Sequence, residues 1–332
     1  MIVLSALLGC TPTPLDTADI DTEEVWDRGP NPHLLDDVLR LNHIQTKGTH
    51  NSYHRQPASV FDDSHRYTHP PLGAQLSDNG VRQLELDLHL TDSMEWQVFH
   101  LPVIDDETVC LLLSDCLEEI KAWSDANGWH VPVTVWLEPK DELDAAAEGL
   151  IAIGDNLRSV EDVIASIFPP ERLFTPDDLR GAASSLPEAI ASGGWPLLGD
   201  VRGQVMFALL DSGAHRDAYV DGAPALEGRL MFVDGGEADA PYTALVKDGS
   251  PESITEWVSA GFIMTSNGSL AGDDPEERAG LDAAIVDAGV NHAATDFSGP
   301  DSGGYWLDLP PRCNPVSAPA ACDDAEIEKL NE

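Results

Sequence analysis

Three histidines fall within the twelve residues HIQTKGTHNSYH at 43–54, in a chain that has only eleven. If that stretch were buried, each of its polar groups would need a partner, so it is either a solvated loop or part of a reactive site. A second group stands in VRQLELDLHL at 81–90. Glu85 and Asp87 are two apart, so on an extended segment their carboxylates share one face while Leu84, Leu86 and Leu88 take the other. Two inward carboxylates repel each other, and a cation between them relieves the repulsion. WQVFH then places His100 at the end of a short apolar run, thirteen residues beyond Asp87. In VTVWLEPK the alternation puts Glu138 and Lys140 on one face: a third carboxylate, and a positive charge for an anionic substrate. With the Asn51 amide oxygen, the three carboxylates make an all-oxygen set that suits calcium or magnesium rather than zinc.

Such side chains need a frame that points several strand ends at one place. From about residue 34 onward, short β-rich apolar runs alternate with helical patterns, the signature of βα units around a parallel sheet. The expected strands are His43–Thr46, Gln83–Leu88, Gln97–Phe99, Val133–Leu137, Val205–Leu210, Leu230–Val233, Phe262–Thr265 and His292–Thr295. Amphipathic spacing predicts helices over Leu113–Asn127, Glu142–Asn156, Val160–Ile167, Pro251–Ala260 and Pro275–Ala288. Thr175–Pro196, rich in Pro, Gly and Ser, reads as a long excursion between a strand and a helix. Eight strands predict an α/β fold, a closed (β/α)8 barrel, whose chemistry sits at the C-terminal strand ends. Lys47, at the end of the first strand, then joins Lys140 as a cation for the substrate. His89 shares the face of Glu85 and Asp87, and Asp296, ending the last strand, could orient Lys47 or bind a substrate hydroxyl.

With 18 Lys+Arg against 59 Asp+Glu, the formal charge of −41 disfavours nucleic acid as a partner. Residues 1–10, MIVLSALLGC, form an apolar run too short to span a bilayer. Its end, Leu7-Leu8-Gly9-Cys10, resembles the bacterial lipobox, so a lipoprotein-type signal peptide with Cys10 as lipid anchor is expected. Residues 11–33, an acidic Thr/Pro/Asp-rich stretch, then serve as a tether, and 34–332 form the barrel domain. Cys110 with Cys116 and Cys313 with Cys322 are local pairs, which in an exported chain predicts two short-loop disulfides. No later segment has the length of a membrane span. The expected location is therefore outside the cytoplasm, secreted or anchored to a bacterial envelope.

Taken together, QTKGTHNSYH at 45–54, LELDLHLTD at 84–92, FH at 99–100, WLEPK at 136–140, ATDF at 294–297 and RCNPV at 312–316 resemble the calcium-dependent phosphatidylinositol-specific phospholipases C, in particular their secreted bacterial branch. The resemblance spans nearly the whole domain and implies a distorted (β/α)8 TIM barrel. It makes His50 and His100 the catalytic histidines, and Asn51, Glu85, Asp87 and Glu138 the ligands of Ca2+; the attacking group also needs a base, for which a carboxylate ligand, Glu85 or Glu138, is the expected proton acceptor. The implied reaction is attack of an inositol hydroxyl on the adjacent phosphorus, releasing diacylglycerol and leaving a cyclic inositol phosphate. The implied partner is phospholipid at a membrane surface, met by a monomer. One departure lies near the end of the seventh strand, where the family carries an arginine-bearing motif and this chain has Met264-Thr265-Ser266-Asn267.

Two other readings share these residues. Glycerophosphodiester phosphodiesterases on the same barrel also use Glu-x-Asp, a later His and Glu-x-Lys. Their first motif is His-Arg-Gly, however, where this chain has Thr49-His50-Asn51. A non-catalytic, calcium-stabilised surface lipoprotein would keep the ligands without needing both histidines.

Overall fold

Gly48 shows how tightly the interior is filled: a Cβ there would stand 2.0 Å from Oε1 of Gln83 on the neighbouring strand. The two residues belong to β1 (Ile44–Thr49) and β2 (Val81–Thr91), which run parallel at the centre of the sheet. The computed structural model describes residues 28–141, 149–302 and 304–329. One compact unit spans Asn31–Glu332, and of the preceding unit, Met1–Pro30, only residues 28–30 are described. Cys10 and most of the expected tether therefore lie outside the described residues, as do residues 142–148 of the expected helix Glu142–Asn156.

The remaining strands are β3 (Trp96–Val98), β4 (Val133–Pro139), β5 (Leu150–Ile151), β6 (Val205–Leu209), β7 (Met231–Val233), β8 (Leu245–Lys247), β9 (Ile263–Asn267), β10 (His292–Thr295) and β11 (Arg312–Cys313). Eight of them form a parallel path in the order β7-β6-β4-β2-β1-β10-β9-β8. A single parallel bridge, Asp234 to Leu245, closes the ring between β7 and β8. This is the expected distorted (β/α)8 barrel, but its eight strands are not the eight expected. Gln97–Phe99 corresponds to β3, which pairs antiparallel with β2 outside the barrel. Only four residues join the two, and a parallel crossover needs a dozen or more. The missing barrel strand is β8, three residues long and too short to show alternation.

Helices form where the spacing predicts them: Leu113–Ala126, Ser159–Ile167, Pro251–Ser259 and Arg278–Asp287. Residues 149–156 are instead the strand β5 and a 3-10 turn. The Thr175–Pro196 excursion carries two short helices, Pro176–Arg180 and Leu186–Ser192, each with proline in its first turn. Both expected disulfides, Cys110–Cys116 and Cys313–Cys322, are formed. No described helix is long and apolar enough to cross a membrane.

Period-two alternation sorts every barrel strand. Leu84, Leu86, Leu88 and Leu90 of β2 are wholly buried under the helices. Each contributes roughly 1.5–3 kcal/mol by leaving water. The opposite faces line the barrel in layers. At the bottom His292 reaches across two strands, its Nδ1 2.8 Å from Thr46 Oγ1 and its Nε2 3.1 Å from Thr134 Oγ1. Above it the Trp136 indole N–H donates to Thr265 Oγ1 at 3.1 Å. The carboxylates stand above that floor.

Burial pushes His292 down from its ordinary 6.5 to about 3. In the unfolded chain the same ring takes a proton as pH falls below 6.5, and in the fold it does not. Folding stability is therefore lost as pH drops through that window, at about 1.4 kcal/mol per pH unit from this residue. In urea unfolding across the window, His292→Gln is expected to show a pH slope shallower by that amount. Parallel curves for the two proteins would contradict the assignment.

Candidate active site

The C-terminal ends of five barrel strands and the loop after β3 converge on one mouth. β1 delivers His50 and Asn51, β2 Glu85 and Asp87, β4 Glu138 and Lys140, β8 Lys247, and β10 Asp296. Asn51 turns the chain with φ 41°, a left-handed conformation that asparagine tolerates better than most side chains. The next residue, Ser52, donates its N–H to the Glu85 carbonyl at 2.9 Å, which ties the turn to β2.

Carboxylate oxygens of Glu85, Asp87 and Glu138 lie within 4.8 Å of one another. Oε2 of Glu85 and both carboxylate oxygens of Asp87 are buried and accept no hydrogen bond. Their compensation is ionic. Lys247 Nζ stands 3.3 Å from Glu85 Oε2, and Lys140 Nζ stands 2.6 Å from Glu138 Oε1 and 3.2 Å from Asp87 Oδ2. Burial raises the Asp87 carboxyl to about 7, with Glu138 and Glu85 adding to the rise and Lys140 opposing it. Burial also pushes Glu85 up, but Lys247, His50 and Lys140 outweigh it and hold that carboxyl below its ordinary value. Two carboxylates with orphaned buried oxygens, Glu85 and Asp87, and a third, the part-exposed Glu138, within 4.8 Å of them are a donor set that fits a hard divalent cation such as calcium.

Each histidine is aimed by a carboxylate on its Nδ1. His50 Nδ1 is 2.9 Å from Asp296 Oδ1, and its Nε2 points toward Glu85 Oε1 at 3.8 Å. Asp296 is itself held by the Ala271 N–H at 2.7 Å. Burial lowers the His50 pKa, but Asp296 and Glu85 more than reverse this, raising it to about 9, which favours the protonated ring. His69 buttresses the loop, its Nε2 3.0 Å from the His50 carbonyl. His100 Nδ1 is 2.7 Å from Asp105 Oδ2, across a small hairpin in which Leu101 and Asp105 exchange both backbone hydrogen bonds at 3.0 Å. The His100 side chain is 25% exposed and borders a cavity of about 250 Å³ with His89, Glu138, Lys140 and Asp211.

The structure corrects two sequence-based placements. Lys47 does not face the mouth. Strand alternation sends Thr46 and Gly48 inward and Lys47 outward, where its Nζ donates to the Leu307 carbonyl at 3.0 Å. It borders a different depression with Asn79, Arg82 and Asp308, and burial there lowers its pKa to about 8. Asp296 accordingly orients His50, not Lys47. His89 does line the cavity, but its Nε2 lies 3.0 Å from the Phe99 carbonyl and its ring stacks on Phe99, so it supports the segment carrying His100.

Two functional groups have no counterpart in the sequence reading. Lys247, at the end of the unrecognised β8, supplies the inward cation assigned to Lys47. Its Nζ also donates to Asn267 Oδ1 at 3.1 Å, so it brings positive charge to the position where Met264–Asn267 lacks arginine. Asp105 lay hidden in the acidic run Asp105-Asp106-Glu107; its full burial beside His100 is what sets it apart.

The sequence pattern of the family described as "Phosphoinositide phospholipase C, Ca2+-dependent" matches residues 39–95 and 91–310. Among solved structures, the chain is similar to the calcium-dependent phosphoinositol-specific phospholipase C of a Pseudomonas species in its apo form. The TM-score is 0.58 at 20% identity, covering 83% of this chain and 96% of that one. A Ca2+-dependent phosphatidylinositol-specific phospholipase C from Streptomyces antibioticus gives 0.56 at 20% identity, with 78% and 95% covered. At that identity the likeness establishes the barrel. Among curated protein sequences none matches this chain.

Proposed function

The chain belongs to the calcium-dependent phosphoinositide phospholipase C family, and from that premise we propose that it cleaves phosphatidylinositol-type lipids to diacylglycerol and a cyclic inositol phosphate. The observation that carries this reading is the pair of carboxylate-oriented histidines, His50 on Asp296 and His100 on Asp105, flanking a three-carboxylate cluster of which Glu85 and Asp87 are buried.

Glu85, Asp87, Glu138 and Asn51 would hold the calcium ion, which when bound lowers the pKa of the attacking inositol hydroxyl and neutralises charge on the phosphoryl oxygens. Glu138, bordering the cavity, accepts the hydroxyl proton, with Glu85 the deeper alternative. As the new phosphorus–oxygen bond to inositol forms, negative charge on the phosphoryl group is met by cationic His50 and by Lys140 and Lys247. His100, its Nδ1 donating to Asp105, presents Nε2 to the departing glycerol oxygen and protonates it as that bond breaks. The bond made and the bond broken balance, and the proton taken by the carboxylate returns through water to His100.

These cations also answer the charge problem. A surface of net charge −41 repels anionic lipid, whereas the mouth concentrates His50, Lys140 and Lys247 against the carboxylates that calcium would neutralise further. The view of the protein as exported and lipid-anchored draws support from Leu7–Cys10 and from the two disulfides.

Phosphorus NMR of the products tests reaction type and metal need together. Phosphatidylinositol vesicles with calcium are expected to yield the resonance of a five-membered cyclic phosphate, and chelator to abolish it. Cleavage of soluble glycerophosphoinositol with intact lipid untouched would point to a glycerophosphodiesterase instead. Calcium-dependent thermal stabilisation with no hydrolysis of either would mark a non-catalytic barrel.

A further inference from the structure

Behind His100 lies a cluster of which the proposed reaction uses only Asp105. The fully buried Asp105 is surrounded by three imidazoles: His54 Nε2 at 2.9 Å from Oδ1, His100 Nδ1 at 2.7 Å from Oδ2, and His65 Nε2 at 3.7 Å from Oδ2. The first two are hydrogen bonds, and the third is too long to be one. The His65 side chain is only 9% exposed, its Nδ1 is buried without a partner, and its ring meets His100 edge to face at 5.6 Å. A buried imidazole that makes no hydrogen bond is costly unless something else occupies it.

Donor atoms of His65, His100 and Asp105 lie within 4.8 Å of one another, which is ligand spacing. Around a zinc ion with bonds of about 2.0–2.1 Å, neighbouring donors sit roughly 3.3 Å apart, between the two separations observed at Asp105 Oδ2. Two imidazoles and a carboxylate are a borderline-soft set, unlike the oxygen-only cluster beside it, so the two sites discriminate by donor chemistry. The surroundings are those of a built site. His54 fixes the second oxygen of Asp105, and Tyr67 stacks on His54 at 4.1 Å, an outer layer of the kind that orients metal ligands. The part-exposed ring of His100 opens the way in from the cavity.

We propose that His65, His100 and Asp105 form a second, inhibitory site for zinc, which takes the Nδ1 nitrogen of His100 and so removes the ring from catalysis. The inhibitory half rests on the assignment of His100 as general acid. Binding displaces the Nδ1 proton to solvent and replaces the His100–Asp105 hydrogen bond by coordination, so the ring keeps only its Nε2–H, which in a metal-bound neutral imidazole is too weak an acid to protonate the leaving group. Calcium does not compete, because the site is nitrogen-rich. A zinc-sensitive enzyme would thus be silenced where zinc is plentiful, without loss of its calcium.

The test uses the full chain saturated with calcium, with cobalt(II) as absorbing probe and zinc as inhibitor. Cobalt is expected to give the visible bands of a nitrogen-containing site at one equivalent, and zinc to displace them over the range in which it stops turnover. His65→Ala, and His65→Gln as the polar control for folding, should keep turnover in zinc-free buffer within about twofold. Both should need at least about tenfold more zinc for inhibition, in line with what a lost metal contact typically removes. Equal zinc sensitivity of the parent and both variants, or no cobalt bands in calcium-saturated parent, would overturn the site. Cobalt and zinc binding through His65 with undiminished turnover would leave the metal site standing and overturn the inhibitory half of the proposal, while the catalytic role of His100 is read separately from His100→Ala.

Discussion

Turnover of the His100→Ala variant is expected to fall by about 10²–10⁴-fold, the usual contribution of a positioned acid or base, with calcium affinity unchanged. The two effects separate because the ring stands apart from the oxygen cluster. It hangs from the segment after β3, is aimed by Asp105, and borders the cavity beside Glu138 and Lys140. Its loss removes the proton donor for the glycerol oxygen but leaves Glu85, Asp87, Glu138 and Asn51 in place. Turnover on a lipid with a better leaving group should recover in part, because such a group departs without a proton. Calorimetric titration with calcium, run beside the assay, checks both halves. An active His100→Ala enzyme would refute the division of labour.

Glu85→Gln is expected to lose calcium binding and turnover together, and to be destabilised as well. Glu85 is the ionic partner of Lys247, whose ammonium is buried and whose pKa, lowered by burial, is raised overall by Glu85 and Asp248. Removing one partner of a buried pair typically costs about 3–5 kcal/mol, and here the exposed Asp248, 3.5 Å from Lys247 Nζ, is left as the ammonium's carboxylate partner. The paired change Glu85→Gln with Lys247→Met should recover most of that stability, since the buried ammonium is gone, and none of the calcium binding. Chemical unfolding and calcium titration of the single and double variants read these out separately. Wild-type calcium affinity in Glu85→Gln would remove Glu85 from the ligand set.

Most of the oxygen cluster was legible because alternation along a strand is a short-range rule. Glu85 with Asp87, and Glu138 with Lys140, share faces by period two alone, and the fold keeps them there. The same rule places Lys47 opposite Gly48 and His50, so its outward position follows from local geometry. The barrel class was legible for a related reason, since alternating β-rich and helical runs leave few ways to bury both faces of a sheet. The identity of the eighth strand was not. WQVF has the composition of a barrel strand, while β8 is a tripeptide, and only the ring closure at Asp234 and Leu245 shows which is which.

The sequence by itself determined which chemistries the chain carries: oxygen donors for a hard cation, two imidazoles, and the strand faces that present them. Only the tertiary structure decided which carboxylate serves which histidine and which lysine faces the acids. Asp296 meets His50 across 246 residues of chain, and Lys247 meets Glu85 between β8 and β2, strands that are not neighbours in the sheet. Such pairings follow from the closure and stagger of the barrel, which sum small twists over all eight strands, and no local stretch of residues encodes that sum.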